Sequence, residues 1–163
     1  TKKLMKNKLL SILVLLTFAG ILFSSCEDKY TDTKEAGEDY LKQNALSDTI
    51  QVLSDVIQYK VYYNNPYGVY INLLMVDKVN IKYTAYFIDG TVYKQDSKYY
   101  DYNQLPSGLQ EVLRKMTTGS KWKAWIPQNL LYGSDGLEGT DGYLVDPYTS
   151  MIYDIELLGF TNE

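Results

Sequence analysis

The sequence predicts an α+β domain: a curved antiparallel sheet of five to six strands wrapped around one short helix, with a helical leader in front. Three observations carry this prediction. From Val52 onward the apolar residues recur with a period of two, in runs separated by Gly, Pro, Asn and Asp. Only the stretch around 107–116 has a strong helical period within that region. Two alternating runs follow it, so the helix falls between strands in the chain order.

The leader comes first. Residues 27–33, EDKYTDT, are polar and read as a tether. TKEAGEDYLKQNALSD, 33–48, is predicted helical, with Asp32 as its cap and Glu35 three positions on. Ala36, Tyr40, Leu41 and Ala45 give it a thin apolar stripe, and its charges make a solvated face. VIQYKVYY and VYINLL, 56–63 and 69–74, are predicted strands flanking the turn residues of NNPYG. VNIKYTAYF alternates through Val79, Ile81 and Tyr83, and Asp89-Gly90 supplies a tight turn into TVYKQD. The pattern leaves the type of YYDY, 99–102, open.

The helix is expected from Ser107, paired with Gln110 as a capping box. Leu109, Val112, Leu113 and Met116 follow at i, i+3, i+4 and i+7, and Gly119 is placed to end it. KWKAWIP then puts Trp122, Ala124 and Ile126 on one face of a strand. The glycine-rich 132–150 reads as a long flap. MIYDIELLGF closes the sheet, alternating Met151, Tyr153, Ile155 and Leu157 against Asp154 and Glu156.

The 163 residues contain no histidine, one cysteine and 17 tyrosines. Without histidine there is no Ser-His-Asp arrangement, no imidazole base and no imidazole metal ligand, so covalent and metal-assisted hydrolysis are disfavoured. DGLEGTDG offers Asp135, Glu138 and Asp141, but not the twelve-residue pattern of alternating calcium ligands, so the acids read as solubilising. No cofactor or metal is expected.

Lys2, Lys3, Lys6 and Lys8 precede an apolar run, 9–23, that ends in FSSC. This has the form of a secretory signal, and it is short for a membrane span of roughly 20 residues. Cys26 stands where the lipobox of bacterial lipoproteins, which the motif resembles, puts the lipid-modified cysteine. The resulting division is a signal peptide over 1–25, a tether and leader over 26–50, and the domain over 51–163. That implies lipid anchorage to the bacterial cell envelope, at the outer membrane. Beyond Cys26 the chain has 12 basic against 20 acidic residues, a formal charge of −8, which disfavours nucleic acid as a partner. Oligomeric state is not legible.

VNIKYTAYFIDGTVY, GLQEVLRKM, WIPQNLLYG and IYDIELLGF resemble, in that order, the FKBP family of peptidyl-prolyl cis–trans isomerases. The resemblance runs from about 57 to 160, and the stretch before it is similar to the leader of the family's lipoprotein and periplasmic members. It implies an FKBP-like fold and action on proline-containing polypeptides. That chemistry suits a chain without histidine. Rotation about the amide has to cross a barrier of about 18–20 kcal/mol, but no bond is broken. A site that binds the twisted amide better than either planar form suffices.

The resemblance also implies the site: Tyr132, Tyr83 and Tyr153 at its working centre, with Tyr93, Lys94, Tyr100, Leu105, Pro106, Leu109 and Val145 binding substrate. In the family the counterpart of Tyr132 offers its hydroxyl to the substrate backbone. The bland reading of each inward aromatic is core packing.

Several positions depart from the family pattern. Lys94 stands where the family usually has an aspartate facing the pocket. Leu109 replaces an indole floor, and Pro106 falls where a backbone N–H normally binds substrate, which proline lacks. Tyr93, Tyr100 and Tyr153 replace phenylalanines. The loop after Tyr132 is longer than in short members, so the correspondence slides at Leu137 and Val145. Trp122, large where the family is small, is expected to fill space beside Leu109, with Ala124 giving way beside it.

These departures support a rival reading, a non-catalytic peptide-binding or assembly lipoprotein that keeps the groove. A third reading uses the tyrosines of YYNNPYGVY, among them Tyr63 and Tyr67, for carbohydrate or protein contact.

Overall fold

The computed structural model describes residues 29–72, 76–140 and 142–161. The basic and apolar N-terminal run and Cys26, with the signal and lipidation readings placed there, lie outside these residues. So does Asp141. Among the described residues no helix is long and apolar enough to cross a membrane.

Helix α1 (Thr31–Asn44) leads into strands β1 (Gln51–Leu53), β2 (Ile57–Tyr63), β3 (Lys78–Phe87) and β4 (Val92–Asp101). Helix α2 (Ser107–Lys115), β5 (Lys121–Ile126), β6 (Leu137–Gly139), β7 (Gly142–Val145) and β8 (Met151–Thr161) follow. Six strands form one sheet in the order β1-β2-β5-β8-β3-β4, every neighbouring pair antiparallel. The predicted fold class is the one observed.

The alternation read from the sequence decides which face is buried. Val79, Ile81 and Ala85 of β3, Ala124 and Ile126 of β5, and Tyr153, Ile155 and Leu157 of β8 are all buried. Leu109, Val112 and Leu113 of α2, with Met116 after it, close the same core. The opposite face carries polar ladders instead. Lys121 pairs with Glu156 at 3.2 Å and Lys123 with Asp154 at 3.1 Å, across strand partners in register. The leader is docked to the domain at the start of β2: Gln58 donates to the Leu41 carbonyl at 2.7 Å and accepts from Asn44 at 2.7 Å. Gly37, the one buried residue of α1, lets the helix approach Ser150 closely.

Five local expectations need correction. Residues 69–74 form no strand among the described residues; a single bridge joins Tyr70 to Thr117. That segment is tied to the turn after α2 instead, through Val69 N–H to Thr118 Oγ1 at 3.1 Å and the Asn65 amide to the Thr118 carbonyl at 2.8 Å. Asp32 lies inside α1, whose cap residue is Tyr30 and makes no side-chain capping bond to the helix. Pro106, not Ser107, caps α2; Ser107 Oγ reaches the Leu130 carbonyl, and Gln110 Nε2 reaches back to the Leu105 carbonyl at 2.8 Å. The last helical residue is Lys115, so Gly119, at φ +81°, turns the chain into β5 rather than ending α2. The glycine-rich flap contains the β6–β7 hairpin. YYDY, left open above, is strand as far as Asp101, with Tyr102 beginning a short 3-10 turn.

Candidate functional site

Strand β4 and the N-terminal end of α2 stand apart at one side of the concave face and leave a cleft of about 420 Å³. Its back wall is aromatic. Tyr83 projects from β3, Tyr153 from β8 and Tyr100 from β4; the Tyr83 ring lies 5.9 Å from Tyr100 and 6.0 Å from Tyr153, both pairs tilted. Tyr153 is only 2% exposed, which makes it the floor. Tyr93 enters from the bulge where Ala85 pairs with Lys94 and Tyr86 with Val92, and its ring packs on Phe87 at 5.8 Å. Leu105, Pro106 and Leu109 form the opposite side, and Tyr132 closes the end with Leu131 and Leu137.

Nine of the ten residues expected at the site therefore line this cleft. Val145 does not: it is 1% exposed in β7, opposite Leu137. Leu137 takes the cleft wall, while Val145 is packed into the core. Gln104 and Leu131 were not anticipated, although each adjoins an expected residue, Leu105 and Tyr132. Trp122 is absent from the wall. It stacks on Tyr59 at 4.7 Å with nearly parallel rings, so it does not fill the cleft beside Leu109.

The electrostatics centre on a residue that sequence reasoning passed over. Asp96 stands two places after Lys94 on β4 and pairs in register with Tyr83. The Tyr100 hydroxyl donates to Asp96 Oδ2. The same Tyr100 hydroxyl lies 3.3 Å from that of Tyr83. Lys98 Nζ lies 3.2 Å from the same Oδ2 and Lys94 Nζ 3.9 Å. The Tyr100 bond, helped by Lys98 and the Ser97 N–H, lowers the Asp96 carboxyl to about 2.

The phenols shift the other way. Burial raises Tyr132 and Tyr93, and raises Tyr153 well above the ordinary 10.0, with Tyr132 beside it. Burial and then the Asp96 bond raise Tyr100. All four are protonated donors at neutral pH. The cleft thus combines apolar ring faces with several hydroxyl donors, and holds no nucleophile activated by a base. A smaller hollow of about 230 Å³, lined by Lys82, Lys121, Trp122 and Glu156 among others, shares Tyr83 with the cleft.

A family model described as FKBP-type peptidyl-prolyl cis-trans isomerase matches residues 74–158. The chain is 29% identical over 127 residues to the FKBP-type 22 kDa peptidyl-prolyl cis-trans isomerase of Escherichia coli (strain K12), covering 75% of this chain and 58% of that protein. It is 30% identical over 135 residues to outer membrane protein MIP of Legionella longbeachae, covering 80% and 55%. It therefore spans little more than half the length of these relatives. The crystal structure of FkpA from Escherichia coli has a TM-score of 0.73 at 20% identity, covering 99% of this chain and 74% of that one, and so shares the fold. The family model runs over more than half of the sequence and includes the strands and helix that build the cleft, and the chain belongs to the FKBP-type peptidyl-prolyl cis-trans isomerase family.

Proposed function

We propose that the cleft takes a proline ring and speeds rotation about the preceding peptide bond, making the chain an isomerase and folding helper of the cell envelope. One observation carries this reading: Tyr83, Tyr93, Tyr100, Tyr132, Tyr153, Leu105 and Leu109 converge on a single concave cleft of about 420 Å³. Apolar ring faces exclude water. A twisted amide has lost resonance and much of its charge separation, so removing water stabilises it relative to the planar forms. Tyr132, kept protonated by burial, is placed to hold a substrate carbonyl.

The test is proline isomerisation by exchange NMR, with the full chain solubilised in mild detergent and a short peptide carrying one prolyl bond. Exchange is expected to accelerate, and Tyr132→Phe to lower kcat/KM by roughly tenfold, the effect of one hydrogen bond in a site that excludes water. Unchanged exchange rates in the presence of wild type would remove catalysis.

Two observations favour a second reading, peptide binding without catalysis. Pro106 forms part of the wall and has no N–H to offer, and Lys94 lines the cleft where a carboxylate would accept. Peptide chemical-shift changes without accelerated exchange would select it. For location, the basic and apolar N-terminal run and Cys26 support a lipid anchor, and the Legionella relative is named an outer membrane protein. Metabolic labelling with a fatty acid, lost in Cys26→Ser, is the expected result.

A further inference from the structure

The charged side chain of the cleft wall is Lys94, about half exposed, and its carboxylate neighbour, Asp96, is already engaged. Asp96 Oδ2 accepts from Tyr100 and lies 3.2 Å from Lys98, whereas Lys94 stands off at 3.9 Å. Lys98 is held over the Tyr100 ring at 5.1 Å, which fixes it beside Asp96. The cleft is also continuous with a second depression that shares Tyr100, Gln104 and Leu105 and is lined by Lys78, Lys98 and Asp101. A peptide seated in the cleft and running along β4 therefore meets more cationic than anionic side chains.

We infer that Lys94 sets substrate specificity, selecting prolyl peptides that carry an acidic side chain next to the proline. This rests on the proposed peptide-binding role of the cleft. The carboxylate of such a peptide replaces the loose 3.9 Å contact of Lys94 with a direct ion pair, while Asp96 keeps its Tyr100 and Lys98 partners. The acidity of the rest of the chain does not cancel this. At physiological salt the screening length is about 8 Å, so the charges that decide are those at the groove itself.

The experiment compares peptides with Glu, Gln or Lys directly before or directly after a single proline, using the full chain in detergent. Exchange rates and binding are read at low and at high salt, for wild type, Lys94→Gln and Lys94→Glu. Wild type is expected to favour Glu over its isostere Gln by about two- to fivefold at low salt, the range of a partly exposed ion pair, with less advantage at high salt. Lys94→Gln removes the preference and Lys94→Glu turns it toward Lys. Equal handling of Glu and Gln by wild type, or a preference that survives in Lys94→Glu, overturns the inference alone. No binding or acceleration with any peptide overturns the peptide-binding role and the inference with it.

Discussion

Asp96 ties the aromatic wall together through one oxygen. Its Oδ2 accepts the Tyr100 proton, the Tyr83 hydroxyl lies 3.3 Å from that of Tyr100, and the rings of both are held at the angles that shape the cleft. Because these bonds favour the ionised carboxyl, Asp96 titrates at about 2 when folded, against 3.8 ordinarily. A depressed carboxyl stabilises the fold above its unfolded value, and that contribution is lost as pH falls through the folded one. Urea unfolding of wild type and Asp96→Asn is therefore expected to show an advantage for wild type at neutral pH. The advantage declines below about pH 4 and is gone near pH 2. A difference that stays constant across this range would mean that the charge of Asp96 does not hold the wall. Sequence reading fixed on Lys94 and missed this group, because a bulge at Tyr93 and the register that sets Asp96 opposite Tyr83 become visible only when the strands pair.

At the scale of elements, the cleft exists because the N-terminus of α2 approaches β5 very closely. Gly108 is buried there, and a Cβ on it would overlap Ile126 Cγ2 and lie 3.0 Å from the Leu130 carbonyl oxygen. Glycine costs an ordinary helix about 1 kcal/mol, so its presence here reflects packing rather than propensity. Strands β2 to β5, β8 and helix α2 were legible because alternation and the 3.6 period survive in one dimension. Residues 69–74 misled for a physical reason: their alternation is genuine, but Asn65, Thr117 and Thr118 supply hydrogen-bond partners that no pattern of apolar residues announces. Gln110 was read as half of a capping box, whereas it bridges Pro106 to hold Leu105. The hairpin β6–β7 gave a similar difficulty, since its glycines suggest a loop and only tertiary packing buries Val145 and leaves Leu137 at the cleft.

The whole molecule places phenols where other proteins place hydrocarbon, and this gives it a particular response to alkali. Tyr93, Tyr100, Tyr102, Tyr132 and Tyr153 all ionise above the ordinary 10.0, with burial the leading cause for each. For an acid whose folded value is raised, the unfolded chain loses its proton first. Stability is then intact below about pH 10 and falls as pH rises beyond it, by at most about 1.4 kcal/mol per pH unit for each group. Tyr153 dominates because it is 2% exposed and its hydroxyl bonds to the buried phenol of Tyr132, with Met151 Sδ at 3.8 Å. Equilibrium unfolding measured from neutral pH to above pH 11 is expected to show a steep loss of stability, with tyrosinate absorbance rising as the near-ultraviolet dichroism collapses. Tyr153→Phe should flatten that slope by about one group's share while costing about 1 kcal/mol at neutral pH, since the ring remains and one hydroxyl bonded to Tyr132 is removed. An unchanged slope in Tyr153→Phe would place the alkaline weakness elsewhere.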